Sequence, residues 1–563
     1  MEKIFKIFGK EYENINQAAI LLGGFALLSQ ILGLLRDRLL AHFVGPSASL
    51  DIYYAAFRIP DLIFISIASL ASITVIIPFL QEKMSSRSGD ASMTEEARKF
   101  LNDIFSVFFS VIILVSIFVF FLMPYLSFFI APGFTPENQA RVIELSRIML
   151  LSPILLGLSN LFGAITQMNR RFFIYALSPI FYNLGIIAGI LFLYSIFGLR
   201  GLAFGVSLGA LMHFLIQAFA SFKFGFFPKF SISINFQDIR KAVFISLPRT
   251  LGLSANNIAL IFIVAMASFL KSGSISVFNL SFNLQSVPLN IVGISYAVAA
   301  FPTLVKSFTG GKNNEFKDHL KRAGRAIVFW SIPITFIFIV ARAQIVRVIL
   351  GSPSFSWENT RLVAASLAIF SVSILAQGMV ALLSRAHYAK GNTRRPLVVN
   401  LVSSTVMIFL SYILLSLFES WPLFRHFIES ILKVSDIPGT AVLMLPLAYA
   451  LGTILNFIIH LYFAKKEFMD GESFISKTFF QTLGASFFIG VMAYLSLGVF
   501  SNIFGTTTFW GIFLQGFFSV ILGILAGIMV LRLLGNEELE ELFRTFRTKF
   551  WRARILPPSQ EGL

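Results

Sequence analysis

Cysteine is absent from all 563 residues. That excludes structural disulfides, cysteine-ligated zinc and thiol catalysis. Charge is scarce: 13% of the residues are Asp, Glu, Lys or Arg, about half of the ~25% usual in soluble domains. Acids are the scarcer sign, 28 against 45 bases, for a formal net charge of +17. The sequence has no HExxH and no Walker loop. Its longest polar stretches, 81–99 and 307–325, are too short to form a soluble domain. No nucleotide domain can drive a pump, and no acidic cluster in an outer loop could serve sugar-transfer chemistry. No catalytic residue, metal site or cofactor is therefore expected.

Apolar residues are abundant, at 56%. A soluble core cannot use that much apolar surface, so the surplus must face lipid. A membrane helix needs about 20 mostly apolar residues. Fourteen runs qualify: 16–43, 50–80, 100–131, 139–167, 172–197, 200–222, 239–269, 275–306, 323–349, 358–387, 396–420, 438–464, 476–501 and 507–533. The runs are apolar on all faces, unlike the alternating segments of about 10 residues that build a β-barrel. The expected fold is an all-α polytopic membrane protein. The first, second, seventh and eighth runs contain Gly, Pro or charge, so bends are expected there. The polar start (Glu2, Lys3, Lys6, Lys10) predicts no cleavable signal peptide.

The basic residues sort by side. Of the 45, 32 fall in one set of loops and the two termini, and four (Arg200, Lys271, Arg425, Lys433) in the opposite loops. This asymmetry predicts cytoplasmic N- and C-termini and an even number of spans. The positive balance thus sets topology and gives no reason to expect nucleic acid as a partner. Residues 535–554, within the C-terminal tail, form an amphipathic stretch expected to lie on the inner leaflet, anchored by its Arg and Lys residues.

An internal repeat is visible. Leu32-Gly33-Leu34 recurs as Leu251-Gly252-Leu253, and Pro78-Phe79-Leu80 as Pro302-Thr303-Leu304. The offset of six helices keeps the orientation, so two pseudo-symmetric six-helix lobes related by an axis along the membrane normal are expected, a transporter arrangement. The corresponding divisions are 1–222, 223–465, 466–534 for two additional helices, and 535–563 for the tail.

A charge at mid-membrane costs ~2.5–3.5 kcal/mol or more, and so usually faces a cavity or a partner. The first helix carries Arg36, Asp37 and Arg38; the second carries Asp51, Arg58 and Asp61; the seventh carries Arg249. Pro60 and Pro288 free backbone carbonyls nearby, which is tolerable in protein or along a wet cavity. The planar fork of arginine suits phosphate. Arg36, Arg58 and Arg249 are therefore candidates to converge on an anionic substrate, with Asp37, Arg38, Asp51 and Asp61 positioning them or switching partners. The competing expectation is mutual neutralisation at a helix interface. Arg141, Glu144 and Arg147 read as a helix-end charge cluster, and His213 and His460 as satisfied core residues.

LLSQILGLLRDRLLAHFVG, LDIYYAAFRIPDL and Pro78-Phe79-Leu80, with LPRTLGL at 247–253 and FPTLVKSF at 301–308, resemble the signatures of the MurJ (MviN) family. Those proteins are lipid II flippases of the multidrug/oligosaccharidyl-lipid/polysaccharide exporter superfamily. The resemblance implies a cationic cavity between two lobes, a lipid-tail groove formed by the last two helices, and alternating access. It implies a bacterial inner-membrane location, a lipid-linked sugar pyrophosphate as substrate, surrounding membrane lipids, and cell-wall synthesis proteins as candidate partners. Arg36 and Asp37 match the family's first-helix pair, Asp51 its second-helix Asp, and Arg58 the basic residue before Pro60. The chain departs from the pattern at Gln30, at Phe64, Ile65 and Ser69, and at Asn283, which aligns with an eighth-helix Arg of the headgroup site. The implied cavity holds fewer cations than the family pattern. Export of another undecaprenyl-linked glycan, export of drugs, and a non-transporting scaffold stand as alternatives.

Overall fold

The structure is a computed structural model describing residues 15–68, 95–168, 171–223, 228–231, 233–469 and 476–551. Among these residues the named elements are all helical, and one isolated bridge joins Ser352 and Phe355. Two compact units divide the chain.

The first unit comprises Met1–Leu284, Ile349–Ser366 and Thr393–Gly452. It opens with α1 (Ile15–Phe43), α2 (Ala48–Ala56) and α3 (Arg58–Ile63). These are followed by α4 (Glu95–Ile130), α5 (Pro136–Met149), α6 (Leu151–Met168), α7 (Phe172–Ala188), α8 (Tyr194–Phe197) and α9 (Leu199–Lys223). Next come α10 (Phe236–Ala267) and α11 (Ser274–Pro288), whose last turn passes into the second unit. The second unit comprises Gln285–Val348, Leu367–Asn392 and Thr453–Leu563. The remaining helices are α12 (Ser295–Thr309), α13 (Asn313–Val340), α14 (Arg342–Leu350), α15 (Trp357–Val372) and α16 (Ile374–Ala389). They continue with α17 (Arg394–Ser420), α18 (Pro422–Leu432), α19 (Met444–Phe468), α20 (Ser476–Phe504), α21 (Phe509–Leu533) and α22 (Glu537–Trp551).

Long helices follow from long apolar runs, because lipid offers the backbone no hydrogen-bond partner. Polar side chains set several starts. Thr135 accepts from the amide of Asn138, Asn235 from that of Gln237 and Thr508 from that of Gly511. Among the described residues eleven helices are long and apolar enough to cross a membrane, or twelve if α15 and α16, bent by 41°, form one span. Helix also occupies the described part of the first two expected runs, so the plan of about fourteen spans holds. The protein is an all-helical, multi-pass membrane protein.

Several breaks differ from expectation. The second segment is interrupted at Phe57, just before Pro60, and passes into a π-helical turn at Phe64–Ala68. Pro288 leads into another π-helix, Leu289–Ile294. Both follow from the donor and space that proline removes. The first and seventh segments, expected to bend, are each one uninterrupted helix. The ninth, expected over 323–349, ends at Val340 and restarts as α14. The repeat residues Pro78-Phe79-Leu80 lie outside the described residues.

In the first unit α9 packs against α7 and the π-helical turn Gly189–Leu193 that continues it, through paired glycines. A Cβ on Gly185 would stand 2.2 Å from Gly209 Cα, and one on Gly189 would stand 2.4 Å from Gly205 Cα. Small residues at this spacing let two membrane helices approach by their backbones. Arg141 pairs with Glu137 at 2.6 Å and Arg200 with Glu144 at 2.5 Å. Arg147 donates to the Phe120 carbonyl and lies over its ring. His213 Nδ1 meets Ser159 at 2.7 Å.

In the second unit α12, α13, α16 and α19 enclose a core that includes Phe316, Ile327, Met379, Leu383 and Phe468. His460 meets Ser384 at 3.2 Å and faces the ring of His387, which stands 3.9 Å from Glu467. The tail helix α22 begins docked on protein. Arg325 and Lys477 reach Glu537, Arg325 also reaches Glu538, and Leu539 is buried with Phe329, Ala485 and Leu531.

Replacing Gly205 by Val forces atoms into the α7–α9 contact. Overpacking of this kind costs about 1–3 kcal/mol. Thermal unfolding in detergent should show a lower Tm for Gly205→Val than for Gly484→Val, where the added atoms meet open space. Equal Tm values would refute the glycine contact.

Candidate functional site

The polar residues of α1, α2 and α3 meet one face of α11. Ser276, Asn279 and Asn283 are spaced i, i+3, i+7, which places them on one side of a helix. Each engages a different charged residue. Asp51 is buried and accepts from the amides of Gly273 at 2.6 Å and Ser276 at 2.7 Å, and from Ser276 Oγ at 2.6 Å. Arg58 donates to Asn279 Oδ1 at 2.5 Å. Asn283 Nδ2 donates to Asp37 Oδ2 at 3.0 Å.

Asp37 is the centre of this network. Its other oxygen accepts from Arg36 Nε at 3.0 Å and Nη2 at 2.9 Å. The Asp37 side chain is buried while that of Arg36 keeps about a quarter of its surface, 24% against 4%. Arg36 directs Nε and Nη2 at Asp37. Arg58 presents a buried Nε that meets no acceptor. A guanidinium offers five N–H donors, so both arginines retain donors for an anion.

Asp51 does different work. Its carboxylate receives the first amides of α11, where the helix dipole is positive. It ties the start of the second segment to the start of the eighth.

The other expected site residues are placed as follows. Arg38 Nη1 donates to the Ile349 carbonyl at 3.1 Å, which fastens α1 to the end of α14. Asp61 lines a small pocket, with space for little more than a water, together with Phe57, Pro60, Phe64, Met149, Ser152, Pro153, Leu156 and Val206. Arg249 lies on α10, and its side chain is outside the described residues.

Asn279 and Ser276 were missed by a reading that followed charge alone. The available signal was their spacing from Asn283 on a helix interrupted by Pro288. Among the described residues no group of three or more His, Asp or Glu side chains is placed to hold a metal ion.

The helical plan of about fourteen segments, with a polar network on its first, second and eighth, is that of a multi-pass membrane protein. Its fold is similar to a solved lipid II flippase MurJ in an inward closed conformation, with a TM-score of 0.70 and 22% identity over 93% of this chain and all of that one. It is also similar to an inward-facing multidrug resistance MATE family transporter of the MOP superfamily, with a TM-score of 0.63 and 13% identity over 78% of this chain and 95% of that one. The sequence is 25% identical over 530 residues to a probable lipid II flippase MurJ of Thermotoga maritima, covering 93% of this chain and 98% of that protein. It is 27% identical over 387 residues to one of Rhizobium tropici, covering 67% and 71%. The family model for lipid II flippase MurJ matches residues 40–515. The chain belongs to the lipid II flippase MurJ family.

Asp51→Ala leaves two buried helix-start amides without their acceptor. Hydrogen bonds to charged groups contribute about 1.5–3 kcal/mol each, so this variant should lose several degrees of Tm. Ser276→Ala should lose less, because both amides keep their partner. A Tm for Asp51→Ala equal to that of the parent would show that the contact does not hold the two segments.

Proposed function

We propose that the protein translocates lipid II, the lipid-linked peptidoglycan precursor, from the cytoplasmic to the outer leaflet of the bacterial inner membrane. It acts as a transporter and not as an enzyme. Family membership over residues 40–515 carries this reading, and the Arg36–Asp37–Asn283 network supports it with a suitable chemistry. Arg36 and Arg58 supply donors for the pyrophosphate, and Arg249 adds a third cation from α10. Asn283 contributes an amide where the family pattern has a cation. Asp37 orients Arg36, and it is a competitor that the pyrophosphate must displace. Asp51, Arg38 and Asp61 serve as positioning or partner-switching charges as access alternates.

The two six-helix lobes, 1–222 and 223–465, move about the site in this scheme. Helices within 466–534 accommodate the lipid tail, and the termini stay in the cytoplasm. Membrane potential supplies a drive of about 2.3 kcal/mol per charge per 100 mV.

A second reading follows from Asn283. A site with one cation fewer fits a less anionic or differently shaped headgroup, so another undecaprenyl-linked glycan is the competing substrate.

Arg36→Ala should abolish growth of a flippase-depleted cell that the parent chain rescues, with equal membrane levels of the two proteins. Full rescue by the variant would remove Arg36 from the transport site. Failure of the parent chain to rescue, with normal membrane levels, would favour the competing substrate.

A further inference from the structure

The connection between α17 and α19 contains α18, and α18 has three distinct sides. One side faces protein. Glu429 is buried and accepts from Thr440 at 2.6 Å and Arg425 at 3.0 Å. Phe424 meets the rings of Phe418 and Trp421. The helix ends at Lys433, whose left-handed backbone (φ 58) turns the chain. Arg361 fixes that turn by donating to the Lys433 carbonyl and pairing with Asp436.

A second side is apolar and bare. Leu423, Phe427 and Ile431 follow at i, i+4, i+8, and are 69%, 59% and 59% exposed. Helical spacing sets them within one arc. His426 and Ser430, also exposed, fall on an adjoining polar arc. The helix therefore separates protein, apolar and aqueous sides around its axis.

Chain continuity says what covers the apolar side. Only Trp421 separates α18 from the membrane-crossing Arg394–Ser420, and the next crossing segment begins at Thr440. The anchored end of α18 therefore starts at the boundary of the bilayer, where tryptophan is favoured. The crossing helix itself exposes Phe409, Ile413 and Leu417, as a lipid-facing helix does. Within the helix Arg425 offsets Glu429, so there is little net charge to direct α18 to an acidic surface.

We infer that α18 lies in the headgroup layer of the leaflet opposite the termini, with Leu423, Phe427 and Ile431 inserted among acyl chains and His426 and Ser430 in water. Its partner is the lipid surface itself, recognised by apolar insertion and not by charge. This placement is independent of the transported substrate and holds whichever leaflet that is.

The absence of cysteine makes the test direct. Single substitutions Leu423→Cys, Phe427→Cys, Ile431→Cys, His426→Cys and Ser430→Cys in the full chain each take one spin label without background. Accessibility to oxygen and to a water-soluble nickel chelate is read in phosphatidylcholine vesicles and in vesicles doped with phosphatidylglycerol. Positions 423, 427 and 431 should favour oxygen and exclude nickel. Positions 426 and 430 should show the reverse. Both patterns should persist when anionic lipid or salt is changed. Nickel access at all five positions would overturn the proposal, because α18 would stand in water. Exclusion of both probes at 423, 427 and 431 would also overturn it, since a protein partner would cover the stripe. An insertion that appears only with phosphatidylglycerol would refute recognition by apolar contact.

Discussion

The ion pair of Arg36 and Asp37 is the interaction on which the site depends. At mid-membrane either charge alone would cost ~2.5–3.5 kcal/mol or more. Placed beside each other, they neutralise locally, and the second oxygen of Asp37 is free to accept from Asn283. That bond carries the first segment to the eighth. The same logic repeats at Arg58 with Asn279 and at Asp51 with the start of α11. Three charged side chains each find a partner on one face of one helix. A buried charge that loses its partner costs about 3–5 kcal/mol, so these contacts define discrete arrangements.

That property suits transport. A pyrophosphate offers arginine better geometry than a single carboxylate, since paired charged hydrogen bonds form to its oxygens. An anion that takes Arg36 from Asp37 changes what Asp37 holds, and with it the tie to Asn283. A ligand shifts a conformational equilibrium only through differential contacts with the two states, and the proposed exchange of partners would be such a difference. The π-helical turns at Phe64–Ala68 and Leu289–Ile294 flank the same segments. They are places where the backbone already departs from regular helix.

Much of this was legible in the sequence. Apolar run length located the helices, because lipid requires the backbone to satisfy its own hydrogen bonds and the runs lack the alternation of a barrel. Scarcity of charge marked Arg36, Asp37, Asp51 and Arg58, and the structure gives each a polar partner. Arg38 shows the limit of that reading: adjacent to the pair in sequence, it serves the Ile349 carbonyl. Ser276 and Asn279 escaped notice because neutral side chains do not stand out by charge. The helix α18 escaped because Pro422, Arg425 and Glu429 resemble loop composition. Its evidence was the i, i+4, i+8 apolar spacing, a signal too short to separate from chance without the contacts of Glu429. The tail was legible as an amphipathic helix, but the pairing of Glu537 with Arg325 and Lys477 needed tertiary structure to be seen.

The central claim is that this chain moves the headgroup of lipid II across a bilayer. The most direct measurement is headgroup accessibility in vesicles reconstituted with the purified protein and labelled lipid II, with an imposed membrane potential. The account predicts that lipid II initially protected in one leaflet becomes accessible from the other at a rate set by the protein, and that protein-free vesicles show no such transfer. Lipid II that stays protected, while a different undecaprenyl-linked glycan crosses in the same vesicles, would contradict it.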